Sequence, residues 1–182
     1  MRVLKAELTK KNQLKCEYKQ TEVGRDRNLD QPFNVKVGKV SDQEAHRDLC
    51  YAFSRLSPHI LFSSELIDAK VAIPTSIEDK DWFDKFHYED DSRFDGVNVN
   101  KIETFGKNAI EGVRLIGTKE TSKGEIVPLK SPVIYFDRSN TEHYPLVAIL
   151  ESQIETLIFE IEEYQAGKNV NSNQLSLFEA GK

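Results

Sequence analysis

The sequence predicts an α+β domain: an antiparallel sheet of about six strands, packed by a long C-terminal helix and one or two short helices, with a flexible C-terminal tail. Three observations carry this. Short stretches of period-two alternation crowd residues 1–40 and 97–136. One long stretch, residues 144–165, repeats apolar residues at helical spacing. Beyond Ala166-Gly167 the apolar period stops and a polar run from Gly167 to Asn173 takes over. A single domain is therefore expected over residues 1–166 and a tail over 167–182.

In the first strand Leu4, Ala6 and Leu8 alternate with Val3, Lys5, Glu7 and Thr9, which predicts one apolar face. Lys10-Lys11-Asn12 is the turn. Residues 13–19 return as a second strand with Leu14, Cys16 and Tyr18 on one side, residues 21–31 read as a loop, and Phe33, Val35 and Val37 mark a third strand. Ser41-Asp42-Gln43-Glu44 has the form of a capping box, so a helix is expected directly behind it, with Ala45, Leu49, Ala52, Phe53 and Leu56 facing inward. Pro58 ends or kinks that helix. Ile60, Leu61, Phe62 and Leu66 predict a second, short one packed on the first.

Residues 68–96 are the least regular, with Trp82, Phe83 and Phe86 set among acids. Asp95-Gly96 is a turn signal. Residues 97–105, 113–118 and 127–136 predict three more strands, with turns at Gly106-Lys107-Asn108 and Ser122-Lys123-Gly124. In the last helix Tyr144, Val147, Leu150, Ile154, Leu157, Ile158, Ile161 and Tyr164 form the inner stripe, and Pro145 belongs in the first turn.

The chain has 182 residues, 30% of them charged, with net charge −5. That suits one domain and excludes a global basic field for nucleic acid. The charge is uneven. Residues 1–40 are net +5, whereas 76–96 and 139–182 are each net −5. Cys16 and Cys50 have no metal spacing, which reads as reduced thiols in a cytoplasm. No run approaches the ~18 apolar residues of a membrane span, so no membrane partner is expected.

Motifs of catalysis are mostly missing. The nine glycines open no strand-to-helix phosphate loop, and no zinc or nucleophile signature occurs. His46, His59, His87 and His143 sit in separate stretches. The run His87-Tyr88-Glu89-Asp90-Asp91 reads as a solvated face, since oxygen-only cation sites need converging ligands. Glu17-Tyr18-Lys19 and Glu78-Asp79-Lys80 match half of a metal-dependent nuclease site but lack the companion acid. No catalytic residue, metal or cofactor is expected. Lys5, Lys10, Lys11, Lys15, Lys19, Arg25 and Arg27, interleaved with Tyr18, are candidate nucleic-acid-binding residues. They would act as a stacking and phosphate platform for single-stranded DNA. The competing reading is a lysine-protected strand edge.

The strongest functional signal is Gln174-Leu175-Ser176-Leu177-Phe178. Two leucines and a phenylalanine on a polar tail call for a pocket, on this protein or on another. The pentapeptide resembles the motif by which bacterial replication and repair proteins bind the ring-shaped DNA sliding clamp, and it matches at all five positions. Chance supplies such a match on the order of once per million windows. The resemblance implies that Leu177 and Phe178 fill an apolar cavity, Leu175 rests in a cleft and Gln174 sets direction. The body resembles small proteins of phages and prophages, which share a strand-rich start, a Leu-Ser-Pro-His stretch (Leu56-Ser57-Pro58-His59) and a long acidic last helix. The implied function is a clamp-docking accessory of replication or recombination. The alternatives are a clamp-tethered nuclease or nucleotide-processing enzyme, or a single-stranded nucleic-acid-binding module.

Overall fold

In a computed structural model, residues 2–23, 32–67, 92–107, 109–137 and 144–169 are described. The strands are β1 (Arg2–Leu8), β2 (Gln13–Val23), β3 (Pro32–Glu44), β4 (Val97–Phe105), β5 (Gly112–Glu120), β6 (Ile126–Lys130) and β7 (Ile134–Tyr135). Among the described residues the helices are α1 (Arg47–Ser54), α2 (Ser57–Ser63) and α3 (Val147–Gln165), with a 3-10 turn at Ser92–Phe94. All strand pairings are antiparallel, in the order β3-β2-β1-β4-β5-β6, and β7 adds two residues beside β5. This is the expected α+β architecture. The expected strand over 127–136 is split at Ser131-Pro132: the Ser131 N–H still donates to Leu115 O at 2.9 Å and its hydroxyl accepts from the Leu115 N–H at 2.9 Å, but Pro132 has no N–H to carry the ladder on.

Two hairpins close with the same chemistry. In Thr9-Lys10-Lys11-Asn12-Gln13 the threonine hydroxyl accepts from the N–H groups of Lys11 at 3.3 Å and Gln13 at 3.1 Å. In Thr121-Ser122-Lys123-Gly124-Glu125 it accepts from Lys123 at 3.3 Å and Glu125 at 3.2 Å. The fourth position has positive φ in both, 53° at Asn12 and 78° at Gly124. Glycine reaches that region without strain and asparagine at small cost, which is why these residue types mark the turns.

The sheet has one covered face. Val3, Ala6, Leu14, Val99, Ile102, Val113 and Leu115 are buried under Leu49, Phe53, Ile60, Leu61, Leu150, Leu157 and Ile161 from the three helices. The first strand departs from simple alternation. A register shift between Val3 and Lys5 puts Val3 on the covered face with Ala6 and Leu8, and leaves Leu4 half-buried. A matching shift between Val99 and Lys101 does the same for Val99 and Ile102.

The capping box is overturned. Ser41 to Glu44 extend β3, whose Glu44 pairs with Gln13. The Ala45 N–H donates to Asn12 O at 2.7 Å. The Ser41 hydroxyl accepts from the Gln43 N–H at 3.2 Å, a local turn contact. The helix starts at Arg47, capped by His46, whose Nδ1 accepts from the Asp48 N–H at 3.3 Å. Pairing along β2 offers these residues more backbone hydrogen bonds than an earlier helix start would.

Helix α3 is 19 residues long, so about 28 Å. Tyr144-Pro145-Leu146 form a turn before it rather than its first turn. It and α2 end in the same way. After α2 the Glu65 and Leu66 N–H groups donate to Phe62 O and Leu61 O. After α3 those of Gly167 and Lys168 donate to Tyr164 O and Glu163 O. Both are Schellman closures with a left-handed residue just past the cap, Glu65 at φ 57° and Gly167 at φ 115°.

Candidate functional site: the tail root and the open sheet face

The pentapeptide Gln174–Phe178 lies outside the described residues, and its root is described. The tail was expected to begin at 167, yet three further residues are held by the body. Lys168 Nζ lies 2.7 Å from Asp48 Oδ2 and 2.8 Å from Glu160 Oε2. Lys168 holds the Asp48 carboxyl below its usual range, and the two acids raise the lysine in turn. Asn169 makes a backbone bridge to Ala45, and its side-chain amide donates to Gln43 Oε1. The chain therefore leaves the described body at the corner between β3 and α1.

The face of the sheet away from the helices carries the candidate nucleic-acid residues. Lys5 stands opposite Glu17 on β2 and Glu103 on β4, while Glu7 stands opposite Lys15 and Lys101. Lys5 Nζ is 3.7 Å from Glu103, Lys101 Nζ is 3.6 Å from Glu7, and Arg114 is 3.4 Å from Glu103. Lys36 lies 2.8 Å from Glu17 and lowers its pKa. So Glu17, the first acid of the nuclease half-motif, is part of an ion pair. Lys19 alone of the set has cations on both neighbouring strands, Arg2 and Lys36. Lys10 and Lys11 are exposed in the turn at the end of this hairpin. Tyr18 is half-buried against the core, on the side away from these lysines. The structure thus brings Lys5, Lys15 and Lys19 to one face, alternating with glutamates along the strands, and the aromatic expected among them, Tyr18, is on the other side. Arg25 and Arg27 lie outside the described residues, as do Glu78-Asp79-Lys80, Trp82, Phe83, Phe86 and the acidic run 87–91.

Sequence reasoning missed a buried polar triad. His59 on α2 is fully buried; its Nδ1 meets the Tyr144 hydroxyl and its Nε2 lies 3.0 Å from Gln153 Oε1 on α3. Gln153 Oε1 accepts, so the imidazole donates from Nε2 and its Nδ1 accepts a hydrogen bond from the Tyr144 hydroxyl. Burial pushes the imidazole down to about 3 and the Tyr144 phenol well up, so both are neutral. The available signal was a glutamine at 153 inside the apolar stripe of α3.

A cavity of about 930 Å³ opens beside the end of α2, with Glu65, Glu111, Asp137 and Glu151 among its lining residues. Among the described residues no three His, Cys, Asp or Glu side chains stand close enough together to hold a metal ion. Cys16 and Cys50 are free thiols, and burial pushes Cys16 up to about 12, away from the reactive thiolate. Among the described residues no helix is long and apolar enough to cross a membrane. No protein-family model, curated protein or solved structure matches the chain, so what it is similar to rests on its own motifs.

Proposed function

We propose that this protein docks on the bacterial DNA sliding clamp through Gln174-Leu175-Ser176-Leu177-Phe178 and serves DNA replication or recombination as a non-enzymatic accessory. The observation that carries the reading is the pentapeptide, which matches the clamp-binding pattern at every position. Three apolar side chains in five residues supply the anchors, and Gln174 supplies direction. The fixed root at Asn169 keeps the body beside any ring that holds the motif.

A second reading, a clamp-tethered nuclease or nucleotide-processing enzyme, draws on the four carboxylates lining the cavity beside α2. Catalysis by metal ions needs them to converge on one point, and among the described residues they form no such set. DNA cleavage with Mg²⁺ or Mn²⁺ that Glu111→Gln removes would put this reading first.

The test is a double variant, Leu177→Ala with Phe178→Ala. Each anchor contributes about 1.5–3 kcal/mol when buried in a pocket. Clamp affinity measured by calorimetry should fall a hundredfold or more, at ~1.4 kcal/mol per decade. The thermal midpoint should not change. Surviving affinity makes the resemblance accidental. A midpoint lowered by several degrees means that these side chains pack on their own domain.

A further inference from the structure

Resting on the clamp reading, we infer that the outer face of α1, formed by Arg47, Tyr51 and Arg55, is a second contact surface for the protein that takes the tail. The place where the described chain ends argues for it. Asn169 is bridged to Ala45, two residues before α1, and Lys168 is ion-paired to Asp48 in the first turn of α1. Between Asn169 and Gln174 lie only residues 170–173. Fully extended, the five steps from Asn169 to Gln174 span at most about 18 Å. Helix α1 has eight residues and is about 12 Å long. A partner gripping Gln174 therefore sits within reach of the whole outer face of α1.

The chemistry of the face suits a protein partner. Arg47, Tyr51 and Arg55 recur at every fourth position, opposite the buried Leu49 and Phe53. Tyr51 is 55% exposed, and the Arg55 guanidinium lies 5.9 Å from its ring centroid. Tyrosine and arginine are the side chains that most often anchor interfaces. Asp48, in the first turn of this helix, is engaged by Lys168, and the exposed Arg47 brings positive charge that would meet an acidic surface flanking the motif pocket. Tethering makes this second contact effectively intramolecular, so a weak patch is enough to matter.

The experiment compares the full chain with its Arg47→Glu/Tyr51→Ala variant against purified clamp without DNA, by calorimetry, with thermal unfolding measured alongside. Affinity should fall about tenfold with an unchanged thermal midpoint, since both side chains are exposed. Arg47→Glu alone, a change at the surface, should weaken binding severalfold and guards against a fold defect in the double variant. Unchanged affinity in both variants overturns this surface and leaves the tail reading standing. Weakening seen only when duplex DNA is threaded through the ring also overturns it and assigns the patch to DNA. Failure of the unaltered chain to bind overturns the tail reading and this inference together.

Discussion

On one face of the sheet Val3, Ala6, Ile102, Val113 and Leu115 lie under three helices; on the other Lys5, Glu7, Lys15, Glu17, Lys101 and Glu103 meet water with opposite charges on facing strands. The same strands build both. The covered face supplies stability by removing apolar area from water. The open face supplies little stability per pair, because exposed ion pairs are worth about 0–1 kcal/mol. Its alternation does something the covered face cannot. A strand slipped by two residues keeps its apolar side chains inward, so burial alone does not reject that register. On the open face the slip is rejected. Moving β1 by two against β2 sets Lys5 opposite Lys15 or Lys19, and moving it against β4 sets Lys5 opposite Lys101 or Glu7 opposite Glu103. Like charges directly opposed are destabilising.

The largest test of this contrast is on the covered side. Leu150→Ala, at a fully buried position of α3, should cost about 2–5 kcal/mol in urea unfolding, as large-to-small core changes do. A loss below 1 kcal/mol would mean that α3 does not close the core.

Next comes the polar exception inside that core. The His59 imidazole is held neutral, at about 3 against 6.5 for the exposed side chain. The unfolded chain therefore takes up a proton that the folded chain refuses. Stability is complete above pH 6.5 and falls as pH drops toward 3, at ~1.4 kcal/mol per pH unit. About 2 kcal/mol should be lost by pH 5. The lowered carboxylates Glu17 and Asp48 act in the same direction but only below their ordinary values of 4.5 and 3.8, so among the shifted groups of the described residues the window above pH 5 is that of His59. Unfolding free energies from pH 7.5 to 5 check this, and a flat profile would rule out a neutral buried imidazole.

The smallest effect belongs to the open face. Glu103→Lys places a third cation between Lys5 and Arg114 and should cost about 0.5–1 kcal/mol, shrinking at high salt. A loss independent of salt would mean that Glu103 matters by packing and not by charge.

Much of this organisation was legible from local pattern. β4 was expected over 97–105 and occupies those residues, and Asn12 and Gly124 announced their turns. The stripe of α3 was read nearly whole, because a helix repeats its register within a few residues. What was misread depends on partners far away in the chain. Ser41-Asp42-Gln43-Glu44 is a good capping box in isolation, but the strand it joins instead is paired to β2, starting some thirty residues earlier. The bulge at Val3 shifts the pairing of β1 with β2 and the bulge at Val99 shifts that of β4 with β5, and the alternation of a single strand reveals neither.

The sequence by itself determined the class of fold, the long last helix and the pentapeptide at 174–178, since each is written in spacings of a few residues. Tertiary structure alone decided that His59 is a buried neutral link between α2 and α3, and that Lys5 and Lys15 face glutamates while Lys19 faces Arg2 and Lys36. It also decided that the chain is held to the body as far as Asn169, beside α1. The reason is the same in each case. A side chain's ionisation and exposure are set by the groups that folding brings against it, and here most of those groups lie tens of residues away or more.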